Sequence, residues 1–308
     1  MTATDIAKPY RTIPMPEAGT PEWLEIRRTT GIGASECAAV MGQSPWATPL
    51  DVFLEKCGRK PVEETRAMRR GNALEPFVHS EFEAETGHKG IKPDYMCVNL
   101  QHPFLFCNLD WLSECGTFGA EFKATDNTRE WGESGSQNVP VYYYLQVQHQ
   151  LLVTGLDLIY LVALLPYSDL RIYPIEPSKP VQDKIVEVCG QFWSDFLDGI
   201  APEHDATVDA VKLLFPTVET DKEIEIDDAE ALDLVYRHGE LVREIKDLTE
   251  AKGQIEARLL MMAGDAKKAR IAGWNGSITR SFTEAKTYTT TRKAGITCRI
   301  NHPRNSGD

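Results

Sequence analysis

Apolar residues recur at two different periods along the chain, and together the periods lay out an α/β fold. Up to about residue 90 the spacing is helical. Thr20 before Pro21-Glu22-Trp23-Leu24 reads as an N-cap and a first helical turn, in a helix that ends near Thr30-Gly31. A Gly31-Ile32-Gly33-Ala34-Ser35 turn leads into a second helix, opened by Ala34 or Ser35 and running through Met41-Gly42. A third begins at Pro49 and passes Phe53 and Leu54 to Cys57-Gly58. Arg69 to Gly87 predicts a longer amphipathic helix, with Leu74, Phe77, Val78 and Phe82 on its inner face.

Beyond residue 90 the texture becomes that of strands. Tyr95 to Val98 and Phe104 to Cys107 predict two of them, and Asn108 to Leu112 is expected to continue as strand. Glu114-Cys115-Gly116 is a turn, and Phe118 to Lys123 is the next strand. Pro140 to Val153 predicts a helix stopping before Gly155. Leu158 to Leu165 has the unbroken apolar character of a strand buried at a sheet centre. Arg171 to Tyr173 predicts another strand and Pro180 to Ile200 a helix with a strong apolar face. The expected divisions are an N-terminal arm over 1–20, a core over 21–202, an acidic helical extension over 203–265 and a basic tail over 266–308. Residues 225–263 carry Leu241, Ile245, Leu248, Ile255, Leu259 and Met262 near a heptad spacing, which predicts a long helix or helical hairpin. Trp274-Asn275-Gly276-Ser277 signals a small β-hairpin.

Composition narrows the class. The 308 residues carry a net charge of −13, which argues against a protein that simply coats DNA, since phosphate contacts supply most non-specific affinity. It leaves room for an enzyme with a basic lining. Cations do cluster, at Lys56, Arg59, Lys60, Arg66, Arg69 and Arg70, and again at Lys267, Lys268, Arg270, Arg280, Lys286, Arg292, Lys293 and Arg299. The seven cysteines form no C-x-x-C pair, so neither zinc nor an iron–sulfur cluster is expected, and they read as free, mostly buried thiols. No apolar run approaches the roughly 20 residues of a membrane span. Met1 to Arg11 does not read as a secretory signal, so a cytoplasmic location is expected.

The candidate chemistry lies in the order strand, turn, strand, helix after residue 104. Side chains alternate faces along a strand, so Glu121 and Lys123 point the same way and Phe122 points to the opposite face. A hairpin around Glu114-Cys115-Gly116 brings Asp110 near Glu121. Two such carboxylates suit a hard divalent cation. A lysine beside them is placed to orient or deprotonate a water, or to stabilise charge on an attacked phosphate. The flanking Leu109, Trp111, Ala120 and Phe122 make unpaired charge costly here.

Asn108-Leu109-Asp110-Trp111 followed by Gly119-Ala120-Glu121-Phe122-Lys123 resembles the PD-(D/E)xK nuclease signature, with Asn108-Leu109 where a proline often precedes the aspartate. Four further blocks are similar to the YqaJ-type viral recombinases, a family that includes bacteriophage lambda exonuclease. They are Trp23 with Arg27 or Arg28; Gly31 to Glu36 with Ser44-Pro45-Trp46; Arg70-Gly71-Asn72-Ala73-Leu74-Glu75-Pro76; and Leu145-Gln146-Val147-Gln148-His149-Gln150. The resemblance covers roughly residues 20–200. It implies a restriction-endonuclease-like core, a central mixed β-sheet flanked by helices. It implies Mg²⁺, with Mn²⁺ substituting, held by Asp110, Glu121, the Phe122 carbonyl and Glu75, with Lys123 and Gln146 completing the catalytic set. It also implies a 5′-phosphate site from Ser35 with Arg27 or Arg28, plus Asn108 and Arg129; the spacing from tryptophan to serine is one residue longer here, which leaves the choice of arginine open. A hydroxyl and backbone N–H groups at a helix start, with a guanidinium, do make an anion site.

The activity so implied is 5′→3′ digestion of one strand of linear double-stranded DNA to give 3′ single-stranded tails, by a ring-shaped homotrimer that works with a single-strand annealing protein. Alternatives are an endonuclease or single-strand nuclease on the same core, or a non-catalytic DNA-end-binding assembly protein using 225–263 as its interaction surface.

Overall fold

Threonine side chains cap three of the four early helices, at Thr20, Thr48 and Thr65, and the last of these helices starts at Arg66 instead of the expected Arg69. The computed structural model describes residues 8–17, 19–61, 65–202, 208–218, 222–281 and 300. Strand β1 (Tyr10–Pro14) is followed by α1 (Pro21–Thr30), where the Thr20 side chain accepts from the Trp23 N–H at 3.3 Å. The short β2 (Ile32–Gly33) leads into α2 (Ala34–Val40), and α3 (Pro49–Lys56) is capped by Thr48 and Asp51 reciprocally. Thr65 caps α4 (Arg66–Thr86), and Gly87 ends it in the left-handed conformation that glycine favours. Then come β3 (Gly90–Ile91), β4 (Tyr95–Asn99), β5 (Leu105–Cys107), β6 (Trp111–Ser113), β7 (Phe118–Ala124), α5 (Val141–Thr154), β8 (Leu158–Leu165), β9 (Asp169–Ile175), α6 (Lys179–Leu197) and α7 (Val208–Leu214). These elements form one compact unit, 1–215.

The fold is mixed α/β, with two sheets flanked by helices. A five-stranded sheet runs β3-β6-β7-β8-β9. Only β7 and β8 are parallel in it, and α5 makes the crossover that parallel neighbours need. One face packs on α5 through Val147, Leu151, Ile159, Leu161 and Tyr173. The other packs on α4 through Val78, Phe82, Trp111, Ala120 and Phe122. Phe82 and Trp111 are wholly buried and meet edge to face at 5.3 Å, so truncating either to alanine costs about 3–5 kcal/mol. A second sheet, β1-β4-β5-β2, closes the unit against α2, α5 and α6.

Three further sequence expectations change. The arm contains β1, which pairs with β4 from Tyr10↔Asn99 to Pro14↔Tyr95; its Pro-rich sequence hid an edge strand, which tolerates proline. Asn108 and Leu109 are not strand: the backbone bends before β6, so Asp110 stands at the strand's mouth. Phe77 turns outward and is 43% exposed, while Val78 and Phe82 carry the inner face of α4. The cysteine expectation holds among the described residues: all six are free, with Cys37, Cys97, Cys107 and Cys189 buried and Cys57 and Cys115 exposed.

A second compact unit spans 216–308. Its 35-residue helix α8 (Ala229–Ala263) is the long helix expected from the heptad spacing, capped by Asp228. Strands β10 (Lys268–Ala269) and β11 (Ile278–Thr279) pair antiparallel. The Asn275-Gly276 signal lies inside their long connection rather than forming a two-residue turn. Lys286, Arg292, Lys293, Arg299 and Cys298 lie outside the described residues. No helix among the described residues is long and apolar enough to cross a membrane.

Candidate active site

The β6–β7 register builds the centre. Trp111 pairs with Ala120 and Leu112 with Gly119, so Asp110 comes opposite Glu121 one step further on. Glu121 and Lys123 project to the α5 face, beside Leu161 and Ala163 of β8. Asp110 Oδ2 accepts the Phe122 N–H at 2.9 Å, which ties the bend to the strand.

Glu121 is almost fully buried, at 3% exposure, and such a carboxylate is stable only if its oxygens are satisfied. Lys123 Nζ donates to Oε1 at 2.5 Å and Gln146 Nε2 to the same oxygen at 2.6 Å. Gln150 Nε2 donates to Oε2 at 2.5 Å and also to the Asn108 carbonyl at 3.1 Å. Gln146 and Gln150 lie one helical turn apart, so one stripe of α5 supplies both amides. Burial, followed by the neighbouring Glu121, pushes the Asp110 carboxyl well above the ordinary carboxylate range; Lys123 pulls it down, Glu75 raises it, and the Phe122 N–H lowers it. Burial works against the charge of Lys123, but Glu121 and Asp110 overrule it and hold the ammonium above the usual lysine value.

Glu75 comes from α4, on the neighbouring side. It is ion-paired with Lys92, a residue the sequence reading did not single out. A lone lysine between two short strands gives no periodic signal, so only the fold reveals it. Pro76 has no N–H to give, so the Asn72 carbonyl loses its helical partner at the turn that carries Glu75.

One cleft of about 580 Å³ joins this centre to a cationic end. Its lining includes Asp110, Glu121, Gln146 and Gln150 at one side and Trp23, Arg27 and Ser35 at the other. Gly31 makes that second part possible: a Cβ there would lie 2.2 Å from the Phe104 carbonyl oxygen. Arg27 Nη2 donates to Ser35 Oγ at 3.2 Å, lies 3.4 Å from Glu36 and sits 4.8 Å above the Trp23 ring. Lys56, buried, pairs with Glu36 at 2.9 Å. Burial would raise the Glu36 carboxyl, but Lys56, Arg27 and the Gly33 N–H hold it below its ordinary value. Two cations around one carboxylate leave a net positive charge beside the Ser35 hydroxyl.

The structure thus brings together Asp110, Glu121, Lys123 and Gln146, with Phe122 bridging through its backbone, and places Ser35 against Arg27. Arg28 also lines the cleft, and its Nε is buried without a partner, but its terminal nitrogen is committed to Glu25 at 2.5 Å. Asn108 lines the cleft with a buried, unpartnered Oδ1. Arg129 is not brought in: it stands exposed on the loop after β7, outside the cleft lining.

The model of the YqaJ-like viral recombinase domain matches residues 22–157, a span that holds both ends of the cleft. Residues 22–157 are thus similar to the YqaJ-like viral recombinase domain. Over 268 residues the chain is 28% identical to the uncharacterised protein YqaJ of Bacillus subtilis (strain 168), covering 84% of this chain and 82% of that one. It is 30% identical over 162 residues to an uncharacterised protein of Acanthamoeba polyphaga mimivirus, covering 47% of this chain and 28% of that one. Among solved structures, an alkaline exonuclease from Laribacter hongkongensis matches this chain with a TM-score of 0.47 and 19% identity, covering 58% of this chain and 94% of the other. A phage-related exonuclease from Haemophilus somnus 129PT matches with a TM-score of 0.42 and 12% identity, over 55% and 95%.

The donor set fits a hard divalent cation. Asp110 and Glu121 offer carboxylate oxygens, and two buried amide oxygens nearby, Gln150 Oε1 and Asn108 Oδ1, have no hydrogen-bond partner. Among the described residues no three His, Cys, Asp or Glu side chains converge as a ready-made ligand group, and Glu75 is ion-paired with Lys92.

Proposed function

We propose that the protein is a Mg²⁺-dependent deoxyribonuclease that digests one strand of linear duplex DNA from a 5′-phosphorylated end, leaving a 3′ single-stranded tail for recombination by strand annealing. The observation that carries this reading is the shared cleft: a cationic end with Arg27 and Ser35 and a buried acidic pair line the same cavity. An enzyme that cuts at chain ends needs such a neighbour, because anchoring the terminal phosphate fixes which phosphodiester reaches the centre.

In this reading Asp110, Glu121 and the Phe122 carbonyl hold the ion, with Glu75 joining from α4. A bound Mg²⁺ supplies charge neutralisation at the scissile phosphate and lowers the pKa of water. Gln146 and Gln150 fix the Glu121 carboxylate before substrate arrives. Lys123, held as an ammonium, acts as a cation and hydrogen-bond donor that orients the attacking water and stabilises negative charge on the phosphate oxygens. Arg27 and Ser35 clamp the 5′-phosphate, and Asn108 borders the path between them. Arg129 is a phosphate contact by resemblance alone. A homotrimeric ring threaded by DNA, and a single-strand annealing partner, complete the proposal by resemblance.

The test is digestion of three substrates in Mg²⁺: 5′-phosphorylated linear duplex, 5′-hydroxyl linear duplex and circular duplex. The phosphorylated ends should be degraded fastest and circles left intact. Cutting of circles would make the protein an endonuclease, and inertness toward all three would leave a DNA-end-binding assembly role.

A further inference from the structure

Lys92 stands on the short link between β3 and β4, just before the buried Pro93. Its ammonium is ion-paired with Glu75 Oε1, and it also feels the charges of Asp110 and Glu121. Its side chain is 56% exposed, whereas that of Glu75 is 24% exposed. Glu75 is the less exposed partner and its charge reaches Asp110, while its cation lies largely in solvent. Ion pairs this accessible are weak and exchange readily.

We propose that Lys92 is a positioning residue that holds Glu75 off the acidic pair until a DNA phosphate replaces Glu75 as its partner, freeing Glu75 to complete the cation site. This rests on the nuclease reading given above. Three carboxylates without a cation would repel one another, and the Lys92 pair removes that problem in the free protein. A backbone phosphate presents the same chemistry to the ammonium as the carboxylate does, so the exchange conserves charge pairing on both sides. The consequence is that the third carboxylate is delivered to the cation only with DNA present.

Two measurements on the full chain test it. The first is Mn²⁺ affinity without DNA, by titration calorimetry, for the wild type, Lys92→Gln, Glu75→Gln and the double variant. Lys92→Gln should tighten Mn²⁺ binding by about fivefold, and in the Glu75→Gln background the same change should alter it by less than about twofold. An equal gain in both backgrounds would show a simple long-range charge effect and overturn the proposal, as would no gain in either. Failure of both the wild type and Lys92→Gln to bind Mn²⁺, with DNA present as well as without it, would overturn the nuclease reading itself. The second is the salt dependence of binding to linear duplex in EDTA. Lys92→Gln should lower the slope of log affinity against log salt by about one. An unchanged slope would show that no phosphate takes up Lys92.

Discussion

Gln150 donates one amide hydrogen bond to Glu121 Oε2 at 2.5 Å and leaves its own carbonyl oxygen buried and unpartnered. The side chain is thus committed to the carboxylate rather than to general packing. Gln150→Leu would strip a buried oxygen of its donor, a loss of about 1–3 kcal/mol in stability. By loosening a positioned ligand it should also cut single-turnover DNA cleavage by roughly 10–100-fold. Urea unfolding and quenched-flow rates check the two effects separately; an unchanged rate would show that Gln146 and Lys123 suffice to hold Glu121.

The two adjacent arginines should separate cleanly. Arg27 touches Ser35, whereas Arg28 is tied to Glu25. Arg27→Ala should reduce the preference for 5′-phosphorylated over 5′-hydroxyl ends by about tenfold to a hundredfold, the worth of a charged hydrogen bond. Arg28→Ala should change it by less than about threefold, the size of a screened surface pair. Comparing initial rates on the two substrates decides it, and the opposite ranking would give the phosphate to the unpartnered Nε of Arg28.

Much of this site was legible in the sequence because it rests on periodicity of two. Alternation alone places Glu121 and Lys123 on one face and Phe122 on the other, and the turn at Glu114-Cys115-Gly116 brings Asp110 opposite Glu121. The choice between Arg27 and Arg28 was not legible, because the extra residue before Ser35 leaves both side chains on the cleft; the contact of Arg27 with Ser35 appears only in the fold. Arg129 matched by spacing from Glu121, but a loop breaks the periodic argument as soon as β7 ends. The edge strand β1 and the Lys92–Glu75 pair are set by long-range pairing, which leaves no local pattern.

His149 gives a pH prediction away from the chemistry. It is wholly buried, with Nε2 3.1 Å from the Phe106 carbonyl and Nδ1 without a partner. The neutral ring satisfies this arrangement by donating from Nε2. Protonation at Nδ1 would bury an unpaired charge, so burial depresses the folded-state pKa to about 4. The unfolded chain then binds more protons below about pH 6.5, and stability falls as pH drops from there to about 4, by up to about 3 kcal/mol. His149→Gln should flatten that segment of the unfolding free energy against pH. A wild-type curve flat between pH 6.5 and 4 would show that the ring is not held neutral.

Glu36 sits between Lys56 and Arg27, and Lys56 is almost completely enclosed. Glu36→Ala would leave that ammonium buried without its counter-charge, so it should cost about 3–5 kcal/mol. Denaturant unfolding of the variant measures this directly, and a loss under about 1 kcal/mol would mean that water reaches Lys56.

The most direct test of the acidic centre is the rate of 5′-phosphorylated duplex digestion in Mg²⁺ by Asp110→Ala, Glu121→Ala and Lys123→Ala, each measured beside its DNA affinity in EDTA. Each variant should lose on the order of a thousandfold or more in rate while still binding DNA, because each removes a group acting on the reacting phosphate. Near-normal turnover in any one of the three would place the chemistry elsewhere in the molecule.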